Sequence, residues 1–254
     1  MKGETKDLVR ALGIDRREHV ALVGAGGKTT LMFALAEELR SRGSRVLTGT
    51  TTKVRQEQAE SARQVILTDL DSRWRDTLER AIMKNGLAFI ASKPAASGKV
   101  QGIAPGLADE LFEQSGIDYM VLEADGAKGK LIKAPAQHEP VVPVTATAVI
   151  GLIGADALGR PCSREDVFRV EKFMEITGAR KYETITPEMV AKLAVHEEGL
   201  FKGCPGAAKR VIFINRMDLA GDRKLLQGLT ELLRDSYRVV TGSLKKGLYL
   251  VYDA

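Results

Sequence analysis

His19-Val-Ala-Leu-Val-Gly-Ala-Gly-Gly-Lys-Thr-Thr30 decides the fold. Its apolar half, residues 20–23, reads as a short buried strand and runs straight into glycines 24, 26 and 27. Lys28, Thr29 and Thr30 follow, and a helical pattern begins at once. Glycine permits the backbone bends that turn successive N–H groups toward one anion. The free amides and dipole at the start of the next helix favour the same anion. Strand, glycine turn, lysine–threonine and helix together read as a phosphate-binding loop. In it Gly24, Ala25, Gly26, Gly27 and Thr30 would line the phosphates, Lys28 would reach the terminal ones, and Thr29 would ligate magnesium.

The loop departs from the usual Gly-x-x-x-x-Gly-Lys-Ser/Thr spacing, which would place glycine where Leu22 stands. It reads Gly-x-Gly-Gly-Lys-Thr-Thr, nearer to the short loop of Mur-type ligases. Working outward, 254 residues suffice for one large domain with a substantial core. A 44% hydrophobic and 28% charged composition is that of an ordinary soluble domain. The net charge of +5 suits an anionic ligand, but one Trp and no long basic block argue against nucleic acid. The apolar runs are far shorter than the ~20 residues that span a bilayer, so no membrane role is expected. Cys162 and Cys204 have no metal-ligand spacing, and the polar start carries no secretory pattern, so the cytoplasm is the expected compartment.

Strand and helix patterns alternate along the chain, which predicts α/β architecture: a mainly parallel, doubly wound sheet in a P-loop NTPase-like three-layer α/β/α fold. The expected strands are 20–23, 45–48, 64–67, 87–91, 119–122, 147–153, 211–214, 238–240 and 249–252. The expected helices are 30–42, 71–84 (capped by Asp69 or Asp71), 107–114 and 223–235. Residues 93–106 read as a loop or small hairpin. The whole of 1–254 is expected to form one nucleotide-binding domain, with a helical lid or subdomain at about 160–205.

Further constellations carry chemistry. The strand at 119–122 leads into Glu123 and Asp125, which alternation puts on one face, as magnesium ligands beside a phosphate loop. Thr51, Thr52 and Lys53 end the second strand, where ligands of parallel sheets gather, although threonines are also good strand formers. Lys128, Lys130 and Lys133 precede a segment stiffened by Pro135, Pro140 and Pro143, which would position His138 as a proton carrier or ligand near an acidic substrate; a merely solvated basic loop is the alternative. Asn215-Arg-Met-Asp218 is similar to the Asn-Lys-x-Asp element of GTPases, with Arg216 in place of lysine. There Asp218 would accept hydrogen bonds from the guanine edge with Asn215 in the same nucleotide-binding element, the stem of Arg216 would cover the base and its guanidinium stack on it, and GTP would be modestly preferred to ATP.

Together, Gly24-Ala-Gly-Gly-Lys-Thr-Thr30, Thr50-Thr-Thr-Lys53, Glu123-Ala-Asp-Gly-Ala-Lys128, Lys133-Ala-Pro135, His138-Glu-Pro140 and Asn215-x-x-Asp218 resemble the YqeC-type proteins. Those are described as accessory proteins of selenium-dependent molybdenum hydroxylases. The resemblance runs over about 10–220 and implies a nucleotide-binding factor for maturation of a molybdenum hydroxylase, acting with that enzyme or with proteins that mature its cofactor. One departure concerns a His-Arg pair associated with the later helical region, which stands here as Phe168-Arg169. The resulting expectation is an NTPase that binds Mg²⁺ and GTP or ATP. Lys28, Glu123, Asp125 and His138 are its catalytic candidates, and Thr29, Glu123 and Asp125 its metal ligands. A Mur-like ligase or small-molecule kinase, and a nucleotide-gated binding module without chemistry, are the alternatives.

Overall fold

Alternation along one strand explains the layering. In Glu18–Gly24 all seven residues are buried, but Val20 and Leu22 pack on one side while Ala21 and Val23 pack on the other. A strand apolar on both faces belongs in the middle of a parallel sheet covered twice, and that is where this one lies. The structure, a computed structural model, describes residues 3–55, 64–96, 98–114 and 116–253.

In chain order the elements begin with β1 (Glu4–Thr5), α1 (Leu8–Leu12), β2 (Glu18–Gly24), α2 (Lys28–Ser41), β3 (Val46–Thr50), β4 (Lys53–Arg55) and β5 (Val65–Leu67). Next come α3 (Trp74–Asn85), β6 (Leu87–Ala91), β7 (Lys93–Ala95), β8 (Lys99–Gln101), α4 (Pro105–Gln114), β9 (Tyr119–Glu123), β10 (Ile132–Lys133) and β11 (Ala148–Gly154). The chain closes with β12 (Val167–Phe168), α5 (Val170–Thr177), α6 (Pro187–Val195), β13 (Lys209–Asn215), α7 (Arg223–Leu233), β14 (Arg238–Ser243) and β15 (Leu248–Tyr252). The main sheet runs β1-β15-β14-β13-β11-β2-β9-β3-β6-β5. From β14 to β5 every pairing is parallel, and β15 and β1 add an antiparallel edge.

From β2 the chain winds outward through β3, β5 and β6, returns to place β9 beside β2, then crosses to β11, β13 and β14 on the other flank. The direction of winding thus reverses around β2, and ligands of such sheets bind at the carboxyl ends of strands at that point. On one face α1 and α2 bring Leu8, Leu12, Leu31, Leu35 and Leu39 onto Val20, Leu22, Val121 and Phe213. On the other, α5, α6 and α7 cover Ala21, Val23, Ile153 and Ile214 through Phe173, Leu193 and Leu229, and α3 and α4 cover Leu47, Ile90 and Leu122. Each large apolar side chain so buried contributes about 1.5–3 kcal/mol. The fold is the three-layer α/β/α arrangement expected.

Several boundaries differ from the sequence expectation. Helix α2 begins at Lys28, because the Gly27 carbonyl already accepts the Leu31 amide at 2.9 Å. Helix α3 starts at Trp74, since Asp71 spends its carboxylate on the Arg73 amide and the Thr77 hydroxyl ahead of the first turn. Lys53 opens β4 and pairs with Gln101, so β4, β8 and β7 form a separate three-stranded sheet. Within 160–205, α5 and α6 place Phe173, Ile176, Val190 and Leu193 in the same cluster as the central strands.

Candidate functional site

Strand β2 ends at Gly24, whose φ of +86° suits glycine, and a Cβ there would stand 2.4 Å from the Leu152 carbonyl. Gly27, at φ +124°, would drive a Cβ to 2.7 Å from Asn215 Nδ2. The turn is thus held against β11 and β13 as well as bent. Its first amides point inward: Gly24 N–H donates to Asp125 Oδ2 at 3.1 Å, Ala25 N–H to the Leu152 carbonyl at 3.0 Å, and Gly26 N–H to the Lys130 carbonyl at 3.1 Å. The amides that face outward to an anion are those at the start of α2, where a helix has no preceding carbonyl to bond them. Thr30 lies exposed in that first turn.

Lys28 is 4% exposed. Its ammonium donates to the Gly24 carbonyl at 2.6 Å and lies 3.0 Å from Asp125 Oδ1 and 3.7 Å from Glu123 Oε1. Thr29 Oγ1 donates to Glu123 Oε2 at 2.8 Å. Burial disfavours the ammonium, but Asp125 and Glu123 outweigh it and hold Lys28 above the usual lysine range. Burial likewise pushes the Glu123 carboxyl up, against the pull of Lys28 and Thr29. The two carboxylates predicted to share a face do converge, and on the lysine and threonine of the loop.

This donor set fits Mg²⁺. Asp125 Oδ1 is buried with the Lys28 ammonium 3.0 Å away, and two carboxylates with a hydroxyl are the hard oxygen ligands such an ion takes. Among the described residues no group of three His, Cys, Asp or Glu side chains forms a metal cage. Thr29, Glu123 and Asp125 would therefore supply part of the shell, with phosphate oxygens completing it, the usual mode for this ion.

Behind Asp125, Lys133 and Glu139 of the basic, proline-stiffened segment come together. Lys133 is fully buried, its ammonium 2.9 Å from Asp125 Oδ2 and 2.6 Å from Glu139 Oε2. The same Glu139 oxygen accepts from Arg169 Nη1 at 2.5 Å. Burial would raise Glu139, yet Arg169 and Lys133 hold its carboxyl below the usual range. His138, proposed from sequence as a proton carrier, sits at the rim with its side chain 78% exposed, Nε2 4.0 Å from Glu139 Oε1. Phe168 offers its ring to Lys128 at 5.4 Å, Lys133 at 5.7 Å and Arg169 at 4.6 Å.

The remaining candidates divide between the two flanks of β2. Thr50 is in register with Glu123, and the Thr51 amide donates to the Glu123 carbonyl at 3.1 Å. The Thr51 hydroxyl is spent on the Val141 carbonyl at 2.9 Å. Thr51, Thr52 and Lys53 line a cavity of about 550 Å³ together with Asp69, Ser92 and Gln101. On the other flank Asn215 Nδ2 donates to the Gly26 carbonyl at 2.8 Å, and its Oδ1 accepts the Leu244 amide at 3.1 Å. Its amide thus ties the loop to the β14–β15 turn. Arg216 is drawn 2.8 Å onto the buried Asp156, which takes up the guanidinium expected to stack on a base. Asp218 is exposed in a single 3₁₀ turn, Met217–Leu219.

FtsY from Mycoplasma mycoides aligns over 97% of this chain and 70% of its own, at a TM-score of 0.42 and 14% identity. The hydrogenase maturation factor HypB from Archaeoglobus fulgidus aligns over 95% of this chain and 87% of its own, at a TM-score of 0.43 and 13% identity. In sequence, the protein titled "Uncharacterized protein YqeC" of Escherichia coli (strain K12) is 38% identical over 218 residues, 82% of this chain and 80% of that one. The model of the family described as YqeC protein matches residues 20–171, a span that takes in the glycine loop, the acidic strand, Lys133, Glu139 and Arg169. With more than half its length matched and a relative this similar, the chain belongs to the YqeC protein family.

Proposed function

We propose that this protein is a Mg²⁺-dependent nucleoside triphosphatase with a modest preference for GTP over ATP, acting in the cytoplasm as an accessory factor in the maturation of a selenium-dependent molybdenum hydroxylase. One observation carries the nucleotide reading: Lys28, Thr29, Glu123 and Asp125 meet within hydrogen-bond and ion-pair distance at the carboxyl end of β2. Lys28 binds the terminal phosphates, and the start of α2 supplies amides to them. Thr29, Glu123 and Asp125 would hold a Mg²⁺ ion, which would supply positive charge to neutralise that of the phosphates. Asn215 keeps the loop in the shape that receives the phosphates, and Asp218 offers a carboxylate to the donor edge of guanine. The accessory role rests on the resemblance to the YqeC-type proteins.

Lys28→Ala tests the core of this reading. A charge-assisted hydrogen bond is worth about 1.5–3 kcal/mol, so the affinity for Mg²⁺·GTP measured by calorimetry falls roughly tenfold to a hundredfold. Unchanged affinity would exclude the phosphate-loop assignment. The cavity beside Thr51 and Thr52 favours a second reading, a kinase or ligase that uses the γ-phosphate on a bound molecule. It lies beyond β9 on the side away from Asn215, where an acceptor would face the γ-phosphate. Strong stimulation of turnover by a small-molecule co-substrate would establish that reading over simple hydrolysis.

A further inference from the structure

Asp125 touches three partners: Lys28 on Oδ1, and the Gly24 amide and Lys133 on Oδ2. Lys28 is shared among Gly24, Asp125 and Glu123, and on the nucleotide reading it also serves the phosphates. Lys133 has no such second duty. Its side chain is 0% exposed and ends between two carboxylates, the arrangement an ammonium taken wholly out of water requires. The backbone fixes this independently of the charges. Lys133 pairs with Phe168 in the β10–β12 ladder, and the Ala134 amide donates to the Phe168 carbonyl at 3.2 Å. Arg169 follows directly, in a left-handed conformation at φ +60°, and reaches back to the Glu139 oxygen that Lys133 holds. Arg169 is also the outermost of the three, its side chain 27% exposed.

We propose that Lys133, Glu139 and Arg169 are positioning residues of the nucleotide site, a relay of alternating charge that fixes Asp125 from behind and carries its state to the surface at Arg169. The proposal rests on the nucleotide-binding reading above. It predicts that a change at Arg169, outside the phosphate loop, alters Mg²⁺-supported nucleotide binding, and that it does so through Lys133.

A double-mutant cycle tests this on the full-length protein, with calorimetric binding of GTP in the presence of Mg²⁺ and in EDTA. Arg169→Ala weakens Mg²⁺·GTP binding roughly threefold to tenfold, and Arg169→Lys recovers most of the loss. Lys133→Met weakens it roughly fivefold to tenfold, and adding Arg169→Ala to Lys133→Met costs nothing further. Binding in EDTA stays within about twofold in each variant, whereas a merely structural defect would lower affinity in both conditions. If Lys133→Met does not fold, as judged by its thermal transition, Glu139→Gln takes its place in the cycle with the same expected pattern. Losses that multiply, losses equal with and without Mg²⁺, or an Arg169→Ala protein that binds as wild type would overturn the relay while leaving the nucleotide site in place. A wild-type protein that binds neither GTP nor ATP with Mg²⁺ would overturn the nucleotide reading, and the relay with it.

Discussion

Lowering the pH should loosen the strand that delivers the phosphate loop, through His19. The side chain is fully buried on β2, with Nδ1 2.8 Å from Thr145 Oγ1 and the ring 5.1 Å from that of Phe112. Thr145 Oγ1 donates to Asp109 at 2.7 Å, so it accepts from His19 Nδ1–H, and Nε2 is the bare nitrogen. Nε2 is buried without a partner. Burial, opposed by Asp109, drops the imidazole from 6.5 to about 4. Below the unfolded value the unfolded chain takes a proton that the folded chain refuses, so stability is full above about pH 6.5 and is lost as pH falls toward 4. At about 1.4 kcal/mol per pH unit the full loss is about 3 kcal/mol, of which about 2 kcal/mol has gone by pH 5. The assay is urea unfolding of wild type and His19→Leu across this range, taking the difference so that carboxylates common to both cancel. His19→Leu starts about 1 kcal/mol less stable at pH 7, for the lost hydrogen bond, and overtakes wild type by pH 5. A difference that stays constant between those values would refute the reasoning.

At the site, Asp125→Asn keeps shape but removes charge, so Mg²⁺-dependent turnover falls by roughly a hundredfold while nucleotide affinity changes by less than about tenfold; turnover equal to wild type at saturating Mg²⁺ would clear Asp125 of any metal role. Asn215→Ala removes two buried hydrogen bonds, to Gly26 and Leu244, and costs about 1–3 kcal/mol of stability together with nucleotide affinity; chemical unfolding and calorimetry read the two effects side by side. Asp218→Ala abolishes most of the discrimination between GTP and ATP, since a carboxylate can bond the two donors of guanine that adenine lacks, and competition binding that finds the preference intact would reject the guanine pocket.

What the sequence revealed and what it hid follow from how local each feature is. The glycine loop, Lys28, Glu123 and Asp125 are written in contiguous stretches, and the alternation of apolar residues carries them to the carboxyl edge of the sheet. Strand β4 was not legible, because Lys53–Arg55 becomes a strand only through partners at 99–101. In the sequence, Lys53 reads instead as the end of the second strand. Helix α1 and the edge strand β1 lie ahead of the first strong pattern and depend on packing against α2 and β15. Asn215 is legible as a residue type, but its partners are not, because Gly26 and Leu244 lie far from it in sequence. Arg216 was likewise expected over a base and is claimed instead by Asp156, a residue sixty positions earlier with no motif around it.

The charges buried at Lys28, Asp125 and Lys133, with Glu139 and Arg169 half-buried beside them, are the hardest part of this molecule to account for by stability alone. Desolvating ions costs several kcal/mol each, and buried pairs often do no better than apolar residues of the same volume. A core under pressure only to be stable would fill this space as α5 and α6 fill theirs, with Phe173, Ile176, Val190 and Leu193. Alternation of sign along the series removes the Coulomb penalty but supplies no reason to bury it. On the proposed nucleotide reading the reason lies at its inner end, where Asp125 keeps its carboxylate oriented between Lys28 and the residues behind it. On that reading one lysine serves the phosphates, and the other serves the carboxylate. That division of labour explains why Lys133 is sealed from water although its neighbours in sequence, Lys128 and Lys130, are not.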